Sequence, residues 1–129
     1  MIGRYLVDTS IWVRILRGDS TLGDRLRDAG EIYLCVHVAG ELFYGAFHSS
    51  QVQKNLADIN EILSAVVVVR CDDTTALEYG ELKQFLRDSG TPLPENDMWI
   101  AATALQYGLA LWTDDAHFEA IPHLTKERW

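Results

Sequence analysis

Four short, nearly continuous apolar runs, separated by longer stretches with helical spacing, constrain this chain more than any other feature. The runs are Tyr5-Leu6-Val7, Ile32-Tyr33-Leu34-Cys35-Val36, Val66-Val67-Val68-Val69 and Leu109-Ala110-Leu111-Trp112. A strand with one wet face alternates apolar and polar residues. These runs do not, so they predict strands covered on both faces, as in a parallel sheet. Helical spacing fills the intervals 10–17, 22–27, 39–47, 51–63, 74–88 and 97–107, with Ile11, Ile15 and Leu16, and Leu56, Ile59 and Leu63, each on one face. Gly108 stands where a left-handed C-terminal residue closes the last helix. Strand–helix alternation without repeats or a Pro/Gly/Ser linker predicts a single α/β domain over residues 1–129, three layers with a central, mainly parallel sheet.

In such a sheet ligands bind beyond the carboxyl ends of the strands. Asp8 follows the first run, in Asp8-Thr9-Ser10. His37 and then Glu41 follow the second, and Thr113, Asp114 and Asp115 follow the fourth. Asp97, after Asn96, opens the helix that begins Met98-Trp99-Ile100. Each acid has an ordinary structural account: Asp8 and Asn96-Asp97 as helix caps, Glu41 at the positive end of its helix, Asp114-Asp115 in a turn. Jointly they ask for more. Carboxylates gathered at one crevice raise each other's pKa unless a cation lies between them. All-oxygen sets suit Mg²⁺ or Mn²⁺. Such an ion can activate water and stabilise charge on a phosphoryl group.

Other chemistries are set aside by what the sequence lacks. It has no phosphate-binding Gly-x-x-x-x-Gly-Lys loop, no dinucleotide fingerprint and no Gly-x-Ser-x-Gly elbow. Its two Cys and four His have no zinc-like spacing. Cys35 and Cys71 read as buried thiols, and His117 beside Phe118 as a packing or turn residue. Trp12, Trp99, Trp112 and Trp129 read as core and interface mass. A net charge of −8, with eleven acids against four bases in residues 72–129, excludes a nucleic-acid binder working by bulk charge. With no apolar run near the roughly 20 residues that span a bilayer and no basic leader at the start, the expectation is a cytoplasmic protein with no membrane partner.

The motifs in order resemble the PIN domain, and within it the VapC-type toxins of toxin–antitoxin pairs. Tyr5-Leu6-Val7-Asp8-Thr9-Ser10-Ile11-Trp12 is similar to that family's opening block, and Glu41-Leu42-Phe43-Tyr44-Gly45-Ala46 to its second acidic segment. Asn96-Asp97-Met98-Trp99-Ile100-Ala101-Ala102-Thr103-Ala104 resembles the third, and Thr113-Asp114-Asp115-Ala116-His117-Phe118 the fourth.

The resemblance implies a Mg²⁺-dependent endoribonuclease, with Mn²⁺ able to substitute, acting as the toxin of a type II system. It implies Asp8 and Asp97 as principal metal ligands and Glu41 as completing the cluster, directly or through water. Asp115 falls on the fourth acidic position and Asp114 on its variable neighbour, which leaves open which of the two faces the metal. Ser10, Asn96 and Thr113 are supporting residues, the first two equally well read as caps. Arg14 and Arg17, one turn apart after Asp8, are candidates for RNA phosphate contacts, against an ordinary solvated face. The implied partners are RNA, a VapB-like antitoxin and a second copy of the chain. Trp12, Phe43, Tyr44 and Phe47 add aromatic mass suited to an interface or to the core. Two alternatives compete: a non-catalytic PIN-like module that holds RNA or protein, and a Mg²⁺-dependent phosphatase. The phosphatase wants a second Asp where Ser10 stands. The non-catalytic module would have lost an acid, yet Asp8, Glu41, Asp97 and Asp115 are all present.

Overall fold

A computed structural model describes residues 3–128; Trp129 lies outside them. Five parallel strands form one sheet in the order β3-β2-β1-β4-β5. They are β1 (Gly3–Val7), β2 (Gly30–Cys35), β3 (Val67–Val69), β4 (Ala110–Trp112) and β5 (Lys126–Glu127). The helices are α1 (Thr9–Leu16), α2 (Ser20–Ala29), α3 (Val36–Phe47), α4 (Val52–Ala65), α5 (Asp73–Ser89) and α6 (Glu95–Tyr107), with a 3₁₀ turn over Ala116–Ala120. The three-layer parallel α/β expectation therefore holds.

Three of the apolar runs reach the buried sheet centre as their patterning predicts, but the valine run does not: β3 is an edge strand, with Val67 53% exposed and only Val69 buried. Leu6, Val7, Leu34, Leu111 and Trp112 are inaccessible at the sheet centre, packed by Ile11 and Trp12 of α1 and by Ile100, Ala101 and Ala104 of α6. Each large aliphatic side chain so buried contributes on the order of 2 kcal/mol. The alanines of α6 carry little bulk, which suits a helix lying directly on the sheet. Gly108, at φ 63°, closes α6 as expected.

The sheet order positions the functional end. From β1 the chain runs outward to β2 and β3 on one side, then returns through β4 and β5 on the other. The connection reverses between β1 and β4, and the ends of adjacent strands open a crevice at such a point. In the ladder Val7 pairs with Trp112, so the next residues, Asp8 and Thr113, emerge side by side at that opening.

Four local expectations are corrected. Val36 ends no strand: the chain turns after Cys35, and α3 starts at Val36 with no side-chain cap, so the usual polar start signal is missing. Glu41 consequently sits in the second turn of α3 and not at its positive end. Pro94 caps α6, so Asn96 and Asp97 lie inside its first turn and neither is the N-cap. Cys35 is a buried free thiol, but Cys71 is exposed beyond β3, 3.4 Å from Nδ1 of His37. Trp12 and Trp112 are buried, and Phe43 packs partly buried against the core. Tyr44 and Phe47 stand exposed on α3. Trp99 stacks on His37 and on Tyr79, tying α6 to α3 and α5. Among the described residues no helix is long and apolar enough to cross a membrane.

Candidate active site

Asp8 is the buried centre of the crevice, only 5% exposed. It caps α1 through Oδ1, which accepts from the Thr9 backbone N–H at 2.8 Å. Its Oδ2 accepts from the Thr113 hydroxyl at 2.7 Å and, at the long distance of 3.4 Å, from Ser10. A carboxylate has about four acceptor positions, so these bonds leave room for a cation. The cap expected of Asp8 and the site role expected of it thus coexist. Burial raises the Asp8 pKa above its usual value; the bonds from Thr113 and Thr9 pull it down, and the charges of Asp97 and Asp115 push it up again.

Asp97 projects from the first turn of α6. Its pKa is raised by burial and then by Asp115, and lowered by His117. Asp115 caps the 3₁₀ turn, Oδ1 accepting from the His117 N–H at 2.9 Å, and its own N–H donates to Oγ1 of Thr113 at 2.9 Å. Thr113 therefore fixes both Asp8 and Asp115 with one hydroxyl. Glu41 reaches the rim from α3 and accepts a short hydrogen bond from Nδ2 of Asn96. Its pKa rises with burial and with the charges of Asp8 and Asp97. The nearby Thr9 hydroxyl, which completes no hydrogen bond of ordinary geometry, and Asn96 pull it down. Asp8, Glu41 and Asp97, from three segments, thus have raised pKa values at one opening, with the Asp115 charge acting on Asp8 and Asp97.

Asp114 and Asp115 turn in different directions. Asp114 Oδ2 pairs with Arg14 at 2.6 Å, and its carbonyl accepts from Arg128 at 2.8 Å, so Asp114 anchors the turn while Asp115 faces the cluster. Arg14 also pairs with Asp19 at 2.9 Å. Held between two carboxylates, its guanidinium has its charge largely answered, which weakens it as a free phosphate contact. Arg17 is exposed at the end of α1.

Of the two expected readings of His117, packing or turn, the structure gives the turn: it lies in the 3₁₀ segment Ala116–Ala120 and is not packed. Its side chain is 58% exposed, and Nδ1 lies 3.2 Å from Asp115 Oδ1 and 3.4 Å from Asp97 Oδ2. One ligand atom each from Asp97, Asp115 and His117 lies within 4.8 Å of the others. Asp8 feels the charges of Asp97 and Asp115, and Glu41 those of Asp8 and Asp97. A lone His carries little signal in a sequence. Its place two residues after Asp115, across a tight turn, is the only cue that could have found it. The donor set, carboxylate oxygens with one imidazole around a buried acid, fits a hard divalent cation.

Sheet order and carboxylate crevice together define a parallel α/β domain with its acids gathered at the switch point. The sequence matches the PIN domain over residues 5–124, and the chain belongs to that family. It is 30% identical over 129 residues to Ribonuclease VapC2 of Haemophilus influenzae, covering 98% of each protein. It is 34% identical over 90 residues to a tRNA(fMet)-specific endonuclease VapC of Salmonella typhimurium, covering 69% of this chain and 68% of that one. The structure of VapBC2 from Rickettsia felis, bound to a DNA fragment from the complex's promoter, superposes with a TM-score of 0.90 at 28% identity, over 100% of this chain and 99% of that one.

Proposed function

We propose that this chain is a divalent-cation-dependent endoribonuclease, a single PIN domain over residues 1–129 acting as the toxin of a VapBC-type pair. The observation that carries the reading is the convergence of Asp8, Glu41, Asp97 and Asp115 at the β1–β4 switch point, in a chain similar end to end to VapC ribonucleases. When bound, Mg²⁺ or Mn²⁺ supplies a Lewis acid that lowers the pKa of water and stabilises charge on a phosphoryl oxygen. Asp8, Asp97 and Asp115 are the residues that would hold it. Thr113 orients Asp8 and Asp115, as outer partners of metal ligands commonly do. Glu41, held by Asn96, orients the attacking water and accepts its proton; its raised pKa suits that transfer. Ser10 adds a weaker support to Asp8.

An antitoxin of the VapB kind is the proposed protein partner. An open groove of about 970 Å³ between α1, α2 and α4, bordered by Trp12, Ile15, Leu16, Leu26 and Ile62, supports a protein ligand. Exposed Tyr44 and Phe47 support self-association as a homodimer. Free thiols suit a reducing, cytoplasmic setting.

The test incubates purified chain with a pool of tRNA and rRNA in Mg²⁺ or Mn²⁺ and maps the new 5′ ends. Cleavage at defined positions, lost on chelation and in Asp8→Asn and Asp97→Asn, is expected. Cleavage retained in both folded variants would refute the assignment of the site.

A further inference from the structure

We propose that His117 is a nitrogen ligand of the cation site, giving it a preference for Mn²⁺ over Mg²⁺. This rests on the cation-dependent reading above and concerns what completes the ion's surroundings.

The geometry begins with the turn after β4. Asp115 accepts from the His117 backbone N–H at 2.9 Å, and that cap folds residue 117 back over residue 115. Phe118, wholly buried, pins the turn to the core, while Thr113 holds the Asp115 N–H at 2.9 Å. The imidazole is therefore delivered by a fixed segment even though the ring is open to solvent. Its Nδ1 points at two acids from different elements, at 3.2 Å from Asp115 and 3.4 Å from Asp97. Ligand atoms about 2.1 Å from an octahedral ion lie about 3.0 Å apart when adjacent and about 4.2 Å when opposite. One atom from each of Asp97, Asp115 and His117 falls within a 4.8 Å span, the scale of a single coordination sphere.

A merely structural histidine has less reason to be there. Asp115 is already bonded to the turn's backbone, and Thr113 already fixes its N–H, so the turn is closed without the ring. The ring is also not core: it is 58% exposed, and what its Nδ1 faces is the two acids. What the imidazole adds is a nitrogen donor beside two oxygens. Mg²⁺ keeps to oxygen ligands, whereas imidazole suits later first-row ions, and Mn²⁺ accepts a mixed set.

The experiment is pulsed electron paramagnetic resonance of Mn²⁺ bound to antitoxin-free protein, natural or labelled with ¹⁵N-histidine, with Mn²⁺ and Mg²⁺ titrations of His117→Gln and His117→Asp. The expected result is a directly bound nitrogen in the wild type that changes with the label and disappears in His117→Gln. His37, His48 and His123 remain in that variant, so the loss assigns the signal. The Mn²⁺-to-Mg²⁺ affinity ratio should fall about tenfold in His117→Gln, and His117→Asp, now all oxygen, should favour Mg²⁺. Mn²⁺ bound without nitrogen coupling, or an unchanged ratio in His117→Gln, overturns this inference and leaves the nuclease reading standing. No Mn²⁺ binding by the wild type overturns both.

Discussion

The Thr113 hydroxyl donates to Oδ2 of Asp8 at 2.7 Å across the β1–β4 seam, joining the acid after one strand to the residue after its neighbour. The same oxygen accepts the Asp115 N–H, so a single side chain sets the spacing of two acids that are distant in sequence.

Thr113→Val keeps the shape and removes both bonds. The buried Asp8 carboxylate loses a donor and the Asp115 N–H loses its acceptor, which should cost about 2–3 kcal/mol of stability. Cation affinity should drop between about ten- and a hundredfold, as for the loss of a partner that orients a metal ligand. Thr113→Ser should recover most of both. Urea melts and Mn²⁺ calorimetry check this, and a Val variant with wild-type affinity would show that Asp8 and Asp115 are placed without it.

Arg14 and Asp114 form the second brace of the same turn. Because both side chains are partly exposed, solvent screening should leave the pair only a small stabilising effect. A double-mutant cycle of Arg14→Ala and Asp114→Ala should return a small stabilising coupling. A coupling near zero, with RNA binding weakened by Arg14→Ala alone, would return Arg14 to the phosphate-contact role.

How much of this was legible beforehand depended on what each feature needs. Strands buried on both faces write themselves as apolar runs, which makes β1, β2 and β4 readable; the edge strand β3 shows instead through its β-branched valines, although Val67 is exposed. β5 was not readable: Lys126–Glu127 carry no apolar pattern, and their place is fixed by backbone bonds such as Thr113 N–H to the Glu127 carbonyl at 3.1 Å. The acids could be gathered at one edge because each follows a strand or enters a helix. Which of Asp114 and Asp115 faces inward depended on Arg14, a hundred residues earlier, and local sequence holds no trace of that pairing. The place of His117 is hidden for a similar reason, since its ring meets Asp97 and Asp115 only once the turn is folded.

Tyr44 and Phe47 are about two-thirds exposed, so removing them should leave the fold intact. A Tyr44→Ser, Phe47→Ser variant is expected to stay within about 1 kcal/mol of wild-type stability. If α3 carries the self-association surface, sedimentation should show the variant shifted towards monomer. Unchanged mass would place the contact elsewhere.

The acid cluster itself should make the metal-free protein less stable than it could be. Asp8, Asp97 and Glu41 all have pKa values raised in the folded chain, each chiefly by burial. Between the ordinary carboxylate range and those raised values, the folded state binds more protons than the unfolded one, so stability falls as pH rises through that window. Asp97→Asn removes one of the ionising groups and with it the repulsion of Asp115. Its advantage should be absent in acid, grow across the window and level off above the raised folded value. At neutral pH this should raise the metal-free Tm by a few degrees, the scale of about 1 kcal/mol in a domain of this size. A divalent cation should reverse the ranking. At a hundred times its Kd it stabilises the wild type by about 2.7 kcal/mol, and the variant should gain almost nothing. Melting both proteins from acid to neutral pH, with and without Mn²⁺, measures each part. A variant less stable than wild type in the absence of metal would mean that Asp97 serves the fold, and not a cation.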